Sequence, residues 1–376
     1  MKGSSRIQCV ITKDTEYDLE FTIESIDLSI VNAIRRTILS NIPAVVFCTS
    51  PHEKDRSIVY KNTTMLNNEI IKHRLSGIPI HHLYTMPPEY LSSIMMELKV
   101  ENITDQFMMV TSKDFTIKNK STGEYLPREE VVRIFPPSRV VLNEYGIESY
   151  SDIVKLRPRI QDMPGDSIHI TCEFDLGNAL EDSQYNVVST CSYGYSRDED
   201  LVRSAFETKK QEVESSGISP EEIAFKLKDW MLLESYRFTR ANSFDFIVET
   251  LGVYSNKYIV TTAIDIIVET LDNIERYIEI HPGSIHTEYK VLLYKDDYTI
   301  GKLLEIAMYN AYFEKEGLLN FCGFKKAHPH DTFATIRLDY KDPIGESYQS
   351  HIVRQLKESI RPTINSILTI KMTFME

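Results

Sequence analysis

The sequence predicts an α+β chain in which one strand-and-helix unit occurs twice, with a β-rich module set into the first copy. Three observations predict it. Two amphipathic helices, near residues 27–41 and 297–311, share one register of apolar side chains. Alternating segments such as Asp166–Phe174 and Phe244–Thr250 read as half-buried strands. Between about 44 and 165, short β-like runs are separated by Pro87-Pro88, Thr122-Gly123 and Pro136-Pro137, the texture of a separate small module.

The bulk numbers are those of an ordinary globular chain. At 376 residues, 42% hydrophobic and 26% charged, it is long enough for two or three domains with sizeable cores. The formal net charge of −13 argues against extensive direct duplex binding, which needs clustered Lys and Arg to displace counterions. Any link to nucleic acid is therefore expected through a partner. No apolar run approaches the roughly 20 residues needed to cross a bilayer. Met1–Arg6 lacks the apolar segment of a signal peptide, so the chain reads as intracellular. Cysteines 9, 48, 172, 191 and 322 form no Cys-x-x-Cys pair and read as small buried hydrophobes.

In order along the chain, residues 6–23 alternate as a strand pair, with Leu19, Phe21 and Ile23 in its second half. The helix at Asp27–Asn41 follows, capped by Asp27 or Ser29 and ended by Ile42-Pro43. The stretch Asn62 to Pro79 suggests a capped short helix leading to a glycine turn at Gly77 and a proline stop at Pro79. The runs Met95–Val100, Phe107–Val110, Phe115–Ile117 and Val131–Phe135 read as strands. Beyond Asp166–Phe174, another strand is expected at Asn186–Tyr195, then a charged helix near Asp198–Ser215. Ser219-Pro220-Glu221-Glu222 opens the next helix with a capping box. A long helix is expected from Asn256 to Ile278, broken by His281-Pro282-Gly283-Ser284. The last 90 or so residues form a compact unit: strand 289–294, helix 297–311, strand 333–338, and a helix over 348–372. Pro362 is expected to kink or break that final helix.

The repeat is exact in position. Asp27-x-Ser29-Ile30 matches Asp297-x-Thr299-Ile300, and the apolar set Ile30, Ala33, Ile34 and Ile38 recurs at Ile300, Leu303, Leu304 and Met308. Thr37 answers to Ala307, and Ala311 extends the second face. Any two amphipathic helices share such spacing; the matching cap and the strand before each helix set this pair apart. Two like units can cover one another's helix faces, as an isologous dimer does.

These residues resemble a family. Asn32-Ala33-Ile34-Arg35-Arg36 followed by Asn41-Ile42-Pro43 resembles the α-like subunits of multisubunit DNA-directed RNA polymerases. Asn62-Thr63-Thr64-x-Leu66-x-x-Glu69-x-Ile71-x-His73-Arg74-Leu75-x-x-Ile78-Pro79 resembles the archaeal D and third-largest eukaryotic subunits more closely still. Leu156-Arg157-Pro158 and the strand after Gly165 look like that family's return from its inserted module. Asp297-x-Thr299-Ile300-Gly301 and Gly323-Phe324-Lys325-x-x-His328-Pro329 are similar to the smaller partner, archaeal L. The resemblance implies two α-like dimerisation units fused in one chain as an intramolecular pseudo-dimer, an arrangement of large nucleocytoplasmic DNA viruses. The implied domains are 1–44 with 166–280 for the first unit, 45–165 for the insert, 281–286 for a linker and 287–376 for the second unit. The family's metal-binding cysteine cluster is absent, Asp182-Ser183-Gln184-Tyr185 replaces its His-Ala-Lys-aromatic motif, and Tyr298 and Lys302 replace the usual His and Asn.

No residue group in the sequence asks to be read as catalytic, and no cofactor is expected on this chain. There is no Gly-rich phosphate loop and no Asp triplet to hold magnesium. The resemblance implies a non-catalytic assembly platform. Ile30, Ala33, Ile34, Ile38, Ile300, Leu303, Leu304, Ala307 and Ala311 would pack half against half, with no separate partner needed for the α-like pair. Asn32, Arg35, Arg36, Glu69, His73 and Arg74 would dock the two large catalytic subunits, and smaller polymerase subunits would join them; the bland reading is a solvated helix edge. Nucleic acid would be met only through the complex, and no membrane is expected. The compartment implied is virion and host cytoplasm for a viral chain, the nucleus otherwise. An alternative is a metal-dependent hydrolase with its site around His73 and His81.

Overall fold

The computed structural model describes residues 7–137, 148–294 and 298–375. These fall into two compact units: unit 1 from residues up to Leu39, Val188–Glu249 and Asn256 onward, and unit 2 from Ser40–Val187 and Thr250–Ser255. Unit 1 opens with β1 (Gln8–Asp14), β2 (Asp18–Glu24) and α1 (Leu28–Ser40). Unit 2 follows with β3 (Ala44–Phe47), β4 (Ser57–Asn62), α2 (Asn68–Ser76), α3 (Pro88–Ser93), β5 (Ile94–Glu101), β6 (Met108–Thr111), β7 (Thr116–Asn119), α4 (Arg128–Ile134), β8 (Asp152–Leu156) and β9 (Ser167–Gly177). The chain then returns to unit 1 with β10 (Val188–Arg197), α5 (Glu199–Ser215), α6 (Pro220–Leu233), β11 (Thr239–Thr250) and α7 (Asn256–Asp272). It closes with β12 (Ile278–Pro282), β13 (Glu288–Tyr294), α8 (Tyr298–Met308), β14 (Leu319–Lys325), β15 (Phe333–Tyr340) and α9 (Tyr348–Met375).

Unit 1 holds two four-stranded antiparallel sheets, ordered β1-β2-β11-β10 and β12-β13-β15-β14. Their connectivity is the same. In each, two adjacent strands lead to a helix (α1 or α8), two more strands complete the sheet, and a long helix closes the unit (α7 or α9). Leu19, Phe21 and Ile23 of β2 and Phe244, Phe246 and Val248 of β11 all point to one buried face, as strict alternation requires. Val291 and Leu293 of β13 with Ala334, Ile336 and Leu338 of β15 do the same in the second sheet.

Unit 2 is built on β9, which pairs with β3, β4 and β5 and so sits at the middle of a five-stranded sheet. Ile168, Ile170, Cys172 and Phe174 face its core, where Phe47 meets Phe115, Phe135 and Phe174 at 5.3–5.8 Å between ring centres. The pairing partners of β9 are all in unit 2, so the strand groups with residues 45–165 and not, as expected, with residues 1–44.

Several expectations give way here. Val131–Phe135 is not a strand; Pro127 precedes α4, whose first turn carries Glu129 and Glu130 and whose last carries Arg133, the charge order a helix dipole favours. The 256–278 helix ends at Asp272, and Ile278–Pro282 is the edge strand of the second sheet, leaving no free linker at 281–286. The helix at 298 stays α-helical only to Met308 and then widens into a π-helical stretch, Tyr309–Lys315. Most clearly, α9 runs unbroken through Pro362. Pro362 lies on the exposed side, while Ile360 and Ile367 on either side of it are buried. Proline forfeits one helix hydrogen bond there, but packing on both sides holds the helix.

Candidate functional site

Each α1-like helix is positioned by local chemistry. Asp27 Oδ1 accepts the Ser29 amide at 2.8 Å, satisfying an orphan donor of the first turn of α1. Ile30, Ala33, Ile34 and Ile38 are buried, and so are Ile300, Leu303, Leu304 and Ala307 on α8; Ala311, in the π-helical stretch, is half-buried. Asp297, read as the cap of the second helix, lies outside the described residues. Gly301 lets β14 close on α8, since a Cβ there would fall 2.0 Å from the Phe324 ring.

Within unit 1 the two sheets and their helices meet at named contacts. Arg36 Nε donates to Thr299 Oγ1 at 2.8 Å, joining the last turns of α1 to the first turn of α8. The larger contact runs along α9, which packs on α8 of its own sheet and on α7 of the other. At its end Phe374, 2% exposed, sets its edge on Phe21, with ring centres 5.1 Å apart and planes at 83°. Phe21 is stacked in turn on Phe246 at 4.6 Å. Lys371 to Asp265 and Lys357 to Glu275, both at 2.5 Å, tie the solvent side of the same contact. Those pairs are screened by solvent and contribute little, whereas burying an aromatic or aliphatic side chain contributes roughly 1.5–3 kcal/mol. The apolar contact therefore dominates.

The polar residues singled out by sequence fall in two places. Asn32, Arg35 and Arg36 are half-buried on α1 in unit 1. Arg35 is held by Asn32 Oδ1, which accepts from its Nε and Nη2 at 3.1 and 3.0 Å, and its charge opposes the burial that pushes the Cys191 thiol up to about 12. Arg36 also donates to Thr299. Glu69, His73 and Arg74 are exposed on α2 of unit 2, at helical spacing, with Asn67 capping the helix through the Ile70 amide. Arg74 Nη1 also donates to the Ile153 carbonyl at 2.7 Å. Lys72, beside them, pairs with Asp55 at 2.7 Å; burial raises the Asp55 carboxyl, but the hydrogen bonds from Lys72 and Ser57 hold it below its ordinary value.

A second node locks the return from residue 157 to β9. Asp166 takes Arg157 Nε at 2.9 Å and Nη2 at 3.0 Å, and these bonds hold its carboxyl below the usual range against the opposing effect of burial. Asn102 Nδ2 donates to the Gln106 and Arg157 carbonyls. Gly165 sits between these segments so closely that a Cβ would lie 2.1 Å from the Asn102 carbonyl oxygen.

The hydrolase alternative finds no support. His73 is exposed on α2, His81 lies in the loop beyond it, and among the described residues no three His, Cys, Asp or Glu side chains could together hold a metal ion. Cys48, Cys172 and Cys191 are buried, as expected of small hydrophobes, with Cys9 and Cys322 half-buried. Sequence reasoning missed Phe21, Phe374 and α7 as contact residues between the sheets. The signal was present in the spacing Ile352, Leu356, Ile360, Ile367, Ile370 and Phe374, which continues past Pro362.

Two four-stranded sheets of the same connectivity, joined through their long helices, define the class of α+β chain to which this protein belongs. The profile of the RNA polymerase Rpb3/Rpb11 dimerisation domain matches residues 20–271, well over half of the chain. The chain belongs to this family. It is 27% identical over 245 residues to a conjugation stage-specific protein of Tetrahymena thermophila, covering 60% of this chain and 74% of that one. It is 39% identical over 66 residues to the human DNA-directed RNA polymerases I and III subunit RPAC1, covering 18% and 17%. With the DNA-directed RNA polymerase subunit Rpo3 of Pyrococcus horikoshii the identity is 27% over 145 residues, covering 37% and 52%. The chain thus spans about half or less of the two polymerase subunits. The family match ends within α7, so the second sheet, α8 and α9 lie beyond it.

Proposed function

We propose that this chain is a non-catalytic assembly-platform subunit of a DNA-directed RNA polymerase, in which two α-like units are fused and pair within one molecule. The observation that carries the reading is the repeated connectivity of the two four-stranded sheets in a chain of the Rpb3/Rpb11 family. Fusion makes the pairing intramolecular, at an effective concentration of order mM for a short connection. The connection here is short, since only residues 273–277 separate α7 from β12. No second chain is required for the pair, and the reading assigns no cofactor or catalytic residue to this one.

On this reading Asn32, Arg35 and Arg36 on α1 and Glu69, His73 and Arg74 on α2 dock the two large catalytic subunits, Arg36 being bonded to Thr299 as well. Arginine suits such a surface because its fork of donors meets carboxylates and backbone carbonyls at little entropic cost. The fused arrangement fits a large nucleocytoplasmic DNA virus, which would place the chain in the viral factory and virion; a cellular chain would work in the nucleus. Among the described residues no helix is long and apolar enough to cross a membrane.

Co-expression with the two large polymerase subunits tests the proposal. The expected result is a complex with one copy of this chain per assembly and no added L-like subunit. Arg35→Glu combined with His73→Glu should abolish recruitment while the chain stays folded. Undiminished recruitment by that variant would remove the docking assignment, and a requirement for a separate L-like chain would remove the pairing.

A further inference from the structure

The two sheets of unit 1 differ in one connection. Between β14 and β15 the chain needs only residues 326–332, whereas between β10 and β11 it makes a helical hairpin, α5 and α6. The hairpin has its own small core: Trp230, the chain's single tryptophan, lies 5.7 Å from the Phe206 ring and 5.9 Å from Phe238. Arg197 covers the Tyr236 ring at 5.8 Å and fixes Glu199 at the base of α5. The repeated fold is complete in its second copy with no such hairpin.

What the hairpin presents outward is apolar. Phe225 is 71% exposed, Leu232 59%, Leu233 64% and Tyr236 67%. Phe225, Leu232 and Tyr236 stand seven and eleven residues apart, which places them on one side of α6 and its continuation, with Leu233 adjoining. Glu221, Glu222 and Asp229 lie three or four residues from Phe225 on that same side and are exposed, with Lys228 the one cation of α6 on that side; Lys226 lies around the helix from it, and Arg197 stands over Tyr236 at the far end. An apolar stripe of this size on a helix is read by a partner through anchors at helical spacing.

We propose that this stripe docks a basic amphipathic helix of a partner protein, its leucine- or phenylalanine-like anchors between Phe225 and Tyr236 and its Lys or Arg residues against Glu221, Glu222 and Asp229. The charge selects this occupant. A second copy of this chain would bring three carboxylates against three carboxylates, and the whole chain carries −13. Nothing in the proposal depends on the platform reading. The stripe lies on α6, away in sequence from α1, α2 and α9.

The test uses the intact chain and a synthetic amphipathic helix of leucine and lysine, with its glutamate-for-lysine counterpart and a scrambled control, in calorimetric titrations. The lysine peptide should bind with a salt-dependent affinity at least about tenfold above either control. Phe225→Ser with Leu232→Ser should weaken it at least tenfold while leaving the thermal transition unchanged, because both positions are exposed. Glu221→Lys with Asp229→Lys gives an independent check and should reverse the preference towards the glutamate peptide. No binding of the lysine peptide, equal binding of the glutamate peptide, or full binding by the serine variant overturns the proposal. So does a concentration-dependent dimer that the serine variant abolishes, which would make a second copy the occupant.

Discussion

Phe374→Ala is the sharpest test of how the two sheets are held together. The side chain is 2% exposed at the end of α9 and touches Phe21, a residue of the other sheet more than 350 positions away in sequence. Truncating a buried phenylalanine costs about 3–5 kcal/mol, the spread reflecting how far the site collapses. Collapse is limited here, because Phe21 is pinned by its stack on Phe246 and cannot follow the lost ring. The upper half of that range is therefore expected. For a unit of this size 1 kcal/mol shifts the midpoint by about 2–4 °C, so the variant should melt roughly 8–20 °C below the parent. Trp230 lies in unit 1 and is the single tryptophan, so its fluorescence follows that unit alone. The accompanying control is Phe321→Ala, which removes a ring of equal size from a half-exposed site over Arg337 and should shift the midpoint by about 2 °C or less. A Phe374→Ala midpoint within 2 °C of the parent would show that the aromatic contact contributes little and that the sheets are held by other means.

Three further outcomes follow from the same geometry. Ile34→Asp or Leu304→Asp places a carboxylate at a fully buried position and should leave unit 1 unfolded at 25 °C, read as loss of the Trp230 transition and of large-subunit recruitment; a folded, recruiting variant contradicts the packing. Gly165→Ala should destabilise unit 2 by about 3 kcal/mol or more, although the same change at an open site stabilises slightly, because its Cβ would strike the Asn102 backbone; hydrogen exchange along β9 measures it, and unchanged protection refutes the close approach. Asp166 has a carboxyl held below its unfolded value by Arg157, so its contribution is fully present above the ordinary aspartate value of about 3.9 and is lost as pH falls through its lower folded value. The deficit of Asp166→Asn in urea should accordingly be largest near neutral pH and shrink below about pH 4, and a deficit constant from pH 7 to pH 3 would rule this out.

How much of this was legible in the sequence depended on how local the cause was. The Ser219–Glu222 capping box of α6 and the Asp27 cap of α1 form as read, since each is decided within four residues. The alternation of β9 was equally plain. Its membership was not, because which sheet a strand joins depends on β3, β4 and β5, up to 130 residues earlier. The same distinction explains α9. Proline is a strong local signal for a break, but the helix is fixed by side chains on both sides of Pro362 that meet α7, α8 and β2, a decision taken outside the helix. The apolar faces of α1 and α8 are buried as their spacing predicts, whereas the bridge that α9 makes between the sheets depends on residues far outside either helix.

The repeat also locates where specialisation has been added. Both copies need two strands, a helix, two strands and a long helix; the second copy contains little else. The first copy carries unit 2 between α1 and β10 and the α5–α6 hairpin between β10 and β11. Both additions enter at connections between elements, so neither interrupts the ladder that β2 and β11 make at the centre of the sheet. That arrangement separates two requirements that otherwise conflict. The surfaces that hold the halves together must be apolar and buried, and their composition is restricted to side chains such as Phe21, Ile267 and Phe374. Surfaces that meet other proteins must remain exposed and adjustable, as α2 and α6 are. If α2 and α6 carry the contacts proposed for them, their placement on additions to one copy leaves the core between the sheets untouched, so that mutations at Glu69 or Phe225 are expected to alter binding and mutations at Phe374 to alter folding.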